Sequence, residues 1–286
     1  MISGTPVIDA QVHCFERDHP GRPWTGPGSP LLEAPGRQAV DRMDEAGVDS
    51  AVLVSPWLNY LADPSYAFDV ATAYPGRFAV VAPIDLTRPD PAGIVQEVTQ
   101  HPYGAALRHV LWNPTARAAV RDGALDPVLT EMEAAALPLC LALGAGTAEA
   151  VSIATRFPLL TVVIDHLGLP ASPIPPAPPA PFAALADTLA LAVHPNVFVK
   201  ATGMPALSHQ PFPYADLRNP LRRLVDVFGP ARVLWGTDWT RVHAFQTYRE
   251  GVDWIVDAGL SPEELARIRG LNAFELFFRA RGWQSS

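Results

Sequence analysis

Cysteine is scarce: Cys14 and Cys140 are the only two, and they lie far apart in the chain. That excludes a disulfide framework and fits a reducing compartment, so the expectation is a cytoplasmic protein. No apolar run approaches the length of a membrane span. The N-terminus lacks a basic region followed by an apolar core, so no signal peptide is visible. Positive charge is also short, with 21 Lys and Arg against 29 Asp and Glu and a formal net charge of -8. This balance argues against an extended nucleic-acid footprint and against anionic membrane surfaces. No linker and no internal repeat divides the 286 residues, so a single domain over 1–286 is expected. The residue in excess is proline, at 31, and 49% hydrophobic content supports a sizeable core.

Apolar β-branched runs recur along the chain. Val7 to His13 reads as a strand that delivers Gln11 and His13 to one face, because strand side chains alternate with period two. Further strands are expected at Val48–Val54, Arg77–Ile84, Tyr103–Trp112, Leu137–Leu143, Leu159–Ile164, Asn196–Ala201 and Val233–Gly236. Helical spacing separates them at Arg37–Gly47, Ser65–Tyr74, Pro91–Thr99, Leu125–Ala136, Thr147–Phe157, Phe182–Val193 and Leu217–Phe228. Phe245–Ala258 and Pro262–Phe278 close the chain, the latter opened by a Ser261–Glu264 capping box. Glu16 to Gly36 reads as a long loop, and proline-rich 170–181 as an extended one.

Strands that are apolar throughout belong to a parallel sheet buried on both faces. Eight βα units in this length predict a single (β/α)8 TIM barrel with long βα loops and an extra C-terminal helix. An open doubly wound sheet is the alternative, but no glycine-rich phosphate loop follows the first strand.

In such a barrel the chemistry sits where strands end. The strand ends carry Gln11, His13, Arg108, His109, His166 and Asp238, with Trp57, Lys200 and Trp239 close by. Asp238 is the candidate general base; the competing role is capping the helix that follows. His166 can polarise a carbonyl, bind a metal or protonate a leaving oxygen, against a purely local bond in its loop. His13 stands similarly, and Gln11 either orients a carbonyl or satisfies neighbours. Arg108 suits a substrate carboxylate, against an internal salt bridge. His109 should face the other way. Trp57, Tyr60, His209 and Trp239, with Trp24 and Tyr214, could cover an organic substrate, and Lys200 could point into the barrel with a partner.

Three segments carry a family resemblance: Asp9-Ala10-Gln11-Val12-His13, Ile164-Asp165-His166-Leu167-Gly168 and Trp235-Gly236-Thr237-Asp238-Trp239. With Met43–Val48, Pro75–Phe78 and Asn196–Lys200, they make the chain resemble the amidohydrolase-related family from near residue 6 to near residue 278. That family holds lactonases, some working without metal, and aromatic-acid decarboxylases. It usually has His-x-His or Glu-x-His on the first strand, whereas Gln11 stands here, and a neutral amide is a poor ligand for Zn²⁺ or Mn²⁺. The resemblance implies either no cofactor or one divalent metal on His13, His166 and Asp238. It also implies hydrolysis of a small, carboxylate-bearing lactone. A metal-dependent non-oxidative decarboxylase is the alternative, and a non-catalytic binding protein a second one. Pairing of barrels into a homo-oligomer is left open.

Overall fold

A computed structural model describes residues 4–144, 146–170 and 174–279. Eight strands form one sheet in sequence order: β1 (Ile8–Val12), β2 (Ser50–Val54), β3 (Phe78–Pro83), β4 (Gly104–Val110), β5 (Leu139–Ala142), β6 (Val162–Ile164), β7 (Val197–Thr202) and β8 (Val233–Gly236). Each runs parallel to the next. β8 returns to β1, where the Asp238 N–H donates to the Gln11 carbonyl at 2.9 Å. The barrel expected from the eight apolar runs is therefore the fold found.

The seam is closed by the Asp9 side chain. Its Oδ1 accepts from the N–H of Thr237 at 2.8 Å and of Gln11 at 3.1 Å, and its Oδ2 accepts from the Thr237 hydroxyl at 2.6 Å. Burial pushes its carboxyl up to about 6 despite these bonds. Gly236 admits the close approach, since a Cβ there would lie 2.8 Å from both Asp9 Oδ1 and the Gln11 nitrogen.

Two apolar clusters explain why the strands carry no polar alternation. Leu53, Val80, Leu107, Leu141 and Ile164 face outward against the helices, while Val52, Val81, Ala106, Cys140 and Val163 fill the barrel. The closing helix begins at Pro262 behind the expected capping box and continues as wide turns to Phe278. It packs Ala273, Phe277 and Phe278 into the interior cluster and plugs the N-terminal end.

Some elements differ from the expectation. The β4 ladder stops at Val110, so Trp112 lies in the loop beyond. An unexpected helix follows at Pro114–Arg121, capped by Asn113, whose side chain accepts from the Ala116 N–H at 2.9 Å. The helix expected over Phe245–Ala258 starts only at Tyr248, because Thr247 caps it in a box with Glu250. Part of proline-rich 170–181, residues 171–173, lies outside the described residues; from 174 to 181 the chain has neither helix nor strand. The long loop after β1 folds back over the mouth, with the N–H groups of Thr25 and Gly26 donating to the Asn59 carbonyl. Gly26 is required there, since a Cβ would stand 2.5 Å from the Leu58 carbonyl oxygen. Among the described residues, no helix is long and apolar enough to cross a membrane.

Candidate active site

A polar layer lies inside the barrel, above the apolar plug. The register of β1 shifts between Asp9 and Val12. Consequently Ala10 belongs to the interior cluster, and so does the face on which Gln11 meets Lys200. Lys200 is the single lysine of the chain, fully buried. Its ammonium donates to Gln11 Oε1 at 2.7 Å and pairs with Asp165 Oδ1 at 3.0 Å. Arg108 Nε donates to Asp165 Oδ2 at 2.8 Å. Burial would raise the Asp165 carboxyl, but Lys200 and Arg108 outweigh it and hold it well below the usual carboxylate range.

The second layer lies at the strand ends. His13 Nδ1 lies 2.7 Å from the Val54 carbonyl and must donate to it, so Nε2 points inward. That atom is 3.4 Å from Asp238 Oδ1 and 3.5 Å from Gln11 Nε2. His166 Nδ1 lies 2.8 Å from the Thr202 hydroxyl and 3.5 Å from Asp238 Oδ2. Burial pushes the His166 imidazole down to about 3, so it is neutral at physiological pH.

Asp238 is at the centre, fully buried, in the left-handed region at φ 49°. Its side chain makes no cap hydrogen bond to the helix that follows. Oδ2 accepts from Arg241 Nε one turn on. Burial opposes ionisation, yet Arg241 and the two imidazoles hold the carboxyl far below its ordinary range. His166 and Leu167 are also left-handed, at φ 52° and 56°. Three strained non-glycine residues therefore converge on one site, a pattern of functional positions.

Two connected cavities open here. The inner corner, about 40 Å³, is walled by His13, Phe15, Trp57, Arg108, His166 and Arg241. A larger chamber of about 350 Å³ shares Leu58, Trp112, His166 and Arg241 with it.

Of the residues singled out by sequence, Gln11, His13, Arg108, Trp57, His166 and Asp238 meet at this end. Gln11 and Asp238, both fully buried, line neither cavity, nor do three others. The Tyr60 hydroxyl accepts from the Glu16 N–H at 2.9 Å and ties down the loop. Trp239 turns outward, its ring under the Arg42 guanidinium at 4.5 Å and edge-on to Tyr248. His209 is exposed, its backbone N–H on Asp216. The reason is shared: each lies past the strand end, where local bonds rather than barrel geometry set the direction. His109 faces outward as expected, its Nε2 3.3 Å from the Ala116 carbonyl. Sequence reasoning missed Arg241 and Trp112, and missed Thr202 and Asp165 as partners. The signal for Arg241 was its spacing of three from Asp238 across a one-turn helix.

The donor set was tested against a divalent ion. The strand-one amide oxygen is taken by an ammonium and one Asp238 oxygen by a guanidinium. Among the described residues, no group of three or more His, Cys, Asp or Glu side chains is placed to hold a metal. The residues present do not fit one, since the positive charge a metal would bring is already supplied by Lys200 and Arg241.

The chain is a parallel eight-stranded barrel with His13, His166 and Asp238 at the ends of its first, sixth and eighth strands. The amidohydrolase family model matches residues 8–279, and the chain belongs to that family. It is 29% identical over 243 residues to the L-fucono-1,5-lactonase of Burkholderia ambifaria, covering 81% of each chain. It is 30% identical over 265 residues to the 4-sulfomuconolactone hydrolase of Hydrogenophaga intermedia, covering 90% of this chain and 82% of that one. The fold is similar to that of a Burkholderia multivorans amidohydrolase crystallised with bound zinc, with a TM-score of 0.78 and 20% identity over 95% of this chain and 99% of that one. It is an amidohydrolase-related hydrolase.

Proposed function

We propose that this protein opens a small anionic lactone by hydrolysis at the Asp238 centre, without a divalent ion. The observation that carries the reading is the approach of His13 and His166 to opposite oxygens of Asp238, at 3.4 and 3.5 Å. These groups stand beside Arg241, whose side chain holds Asp238 Oδ2 and borders the cavity. The two relatives whose names specify lactones support it.

In this reading Asp238 takes a proton from water as the hydroxide oxygen bonds to the acyl carbon. Oδ1 is the oxygen available, because Oδ2 is held by Arg241. Negative charge then develops on the carbonyl oxygen, where the Arg108 and Arg241 guanidinium groups in the corner wall stabilise it. The ring C–O bond breaks, and the proton passes from Asp238 through His13 Nε2 to the leaving alkoxide. Gln11 and Lys200 orient His13 and Asp165 from below, and Trp57 walls the ring.

A carboxylate held this far below its ordinary range is a weak base in bulk terms. The reaction therefore relies on preorganised cations more than on basicity. Formal charges of Arg108, Arg241 and Lys200 against Asp165 and Asp238 leave the site one unit positive, which favours a substrate with a single negative charge. The decarboxylase alternative requires metal chelation of the substrate, which this donor set does not support. Asp238→Asn should lower kcat on a muconolactone-type substrate by about 10³-fold. Wild-type turnover in that variant would overturn the reading.

A further inference from the structure

The inner corner, at about 40 Å³, admits little more than the reacting ester group. The remainder of any substrate must enter the neighbouring chamber of about 350 Å³, a volume at the low end of small-molecule sites. The chemistry of that chamber is lopsided. The apolar walls it does not share are Ala142, Leu143, Gly144, Leu169 and Pro170, and Leu58 and Trp112 border both cavities. Of its polar side chains, His166 and Arg241 are shared with the catalytic corner and Asp165 is not. Of these, Asp165 is already saturated by Arg108 and Lys200.

Trp112 forms the outer wall. Its indole approaches Gly144 closely, where a Cβ would come within 2.8 Å of Trp112 Cδ1. The ring is nonetheless 46% exposed, a large apolar surface held at the mouth of a cavity. An exposed aromatic fixed in this way is suited to contact with an apolar ligand. A polyhydroxylated ring placed here would leave hydroxyl groups buried against carbon, and each unpaired group is costly.

We infer that the substrate is a monoanionic lactone bearing an alkyl or aryl substituent, that the substituent occupies this chamber, and that Trp112 is the residue that selects it. The inference rests on the lactone reading for the ring, while the chamber itself rests on its walls. It distinguishes this chain from an enzyme for sugar lactones. Arg241 takes the anionic group, since it borders both cavities.

The test is calorimetric binding to the full chain of three non-hydrolysable five-membered lactam carboxylates: unsubstituted, phenyl-bearing and polyhydroxylated. The phenyl-bearing probe should bind at least about tenfold more tightly than either other probe. Trp112→Ala should bring the phenyl-to-unsubstituted ratio within about twofold of unity, and Leu169→Gln should reduce it as well. The readout is a ratio within one sample, so it does not depend on the folded fraction. Equal binding of the three probes, tightest binding of the polyhydroxylated one, or a ratio unchanged in both variants would overturn the inference. Failure of the lactone reading shows separately, as no lactone turnover by the wild-type chain with the binding ratio intact.

Discussion

The two ends of the barrel solve opposite problems. At the N-terminal end, Phe277, Phe278 and Ala273 close the interior with carbon alone. At the C-terminal end the interior holds Gln11, Arg108, Asp165, Lys200 and Asp238, all buried. Five of the six non-glycine residues with positive φ among the described residues lie in segments that follow strand C-termini at that second end, His166, Leu167 and Asp238 among them. Strain and buried charge of this order cost a few kcal/mol per site. One end supplies the packing that lets the other carry an arrangement that packing alone would not select. The difference separates stability from chemistry along the barrel axis, as expected for this architecture.

The comparison breaks first if the charged layer proves dispensable. Lys200→Met leaves Gln11 Oε1 and Asp165 Oδ1 without their cation and should cost about 4 kcal/mol of unfolding free energy in denaturant titration. A change below about 1 kcal/mol would show that the layer carries no coupled charge. Next in size, Phe278→Ala should cost about 3 kcal/mol through the cavity left in the plug. At a temperature where the variant stays folded, its kcat and KM should equal those of the wild type. An altered KM would show that the two ends are not independent.

A smaller effect sharpens the electrostatics of the mouth. The folded-state pKa of His166 is depressed to about 3 from 6.5. Neutral His166 therefore contributes stability above pH 6.5 that is lost as pH falls toward 3, because only the unfolded chain takes up the proton in that window. The depressed carboxylates Asp165 and Asp238 act below their own ordinary range, and Asp9, raised to about 6, acts in the opposite sense within the interval from 6.5 to about 4, so the histidine is read there as the difference between variant and wild type. His166→Gln should flatten the stability profile there by up to about 1.4 kcal/mol per pH unit. Parallel profiles for variant and wild type would place a charged imidazole in the folded protein.

Much of this was legible in the sequence where one rule governed. The eight apolar runs gave eight strands, since only a sheet buried on both faces tolerates them. His13, His166 and Asp238 were legible because strand ends fix their direction. Period two alone would have set Gln11 and Ala10 on opposite faces, and the bulge in β1 overrode it. Tyr60, Trp239 and His209 lie away from the cavities because loop residues follow local contacts, which leave no periodic trace. Arg108 could be read as a substrate anchor or as an ion-pair partner. The structure gives its Nε to Asp165, while its side chain still borders the inner corner. Arg241 and Trp112 went unread because each becomes significant only beside a cavity, and a cavity has no sequence signature.

The central claim is that side-chain cations do at these strand ends what a bound metal does in other arrangements. It is tested most directly by turnover of a muconolactone-type substrate before and after exhaustive chelation, with metal content measured on the same samples. The account predicts unchanged kcat and well under one metal per chain, together with a large loss of turnover in Arg241→Met. Loss of activity on chelation that added Zn²⁺ or Mn²⁺ restores would contradict it.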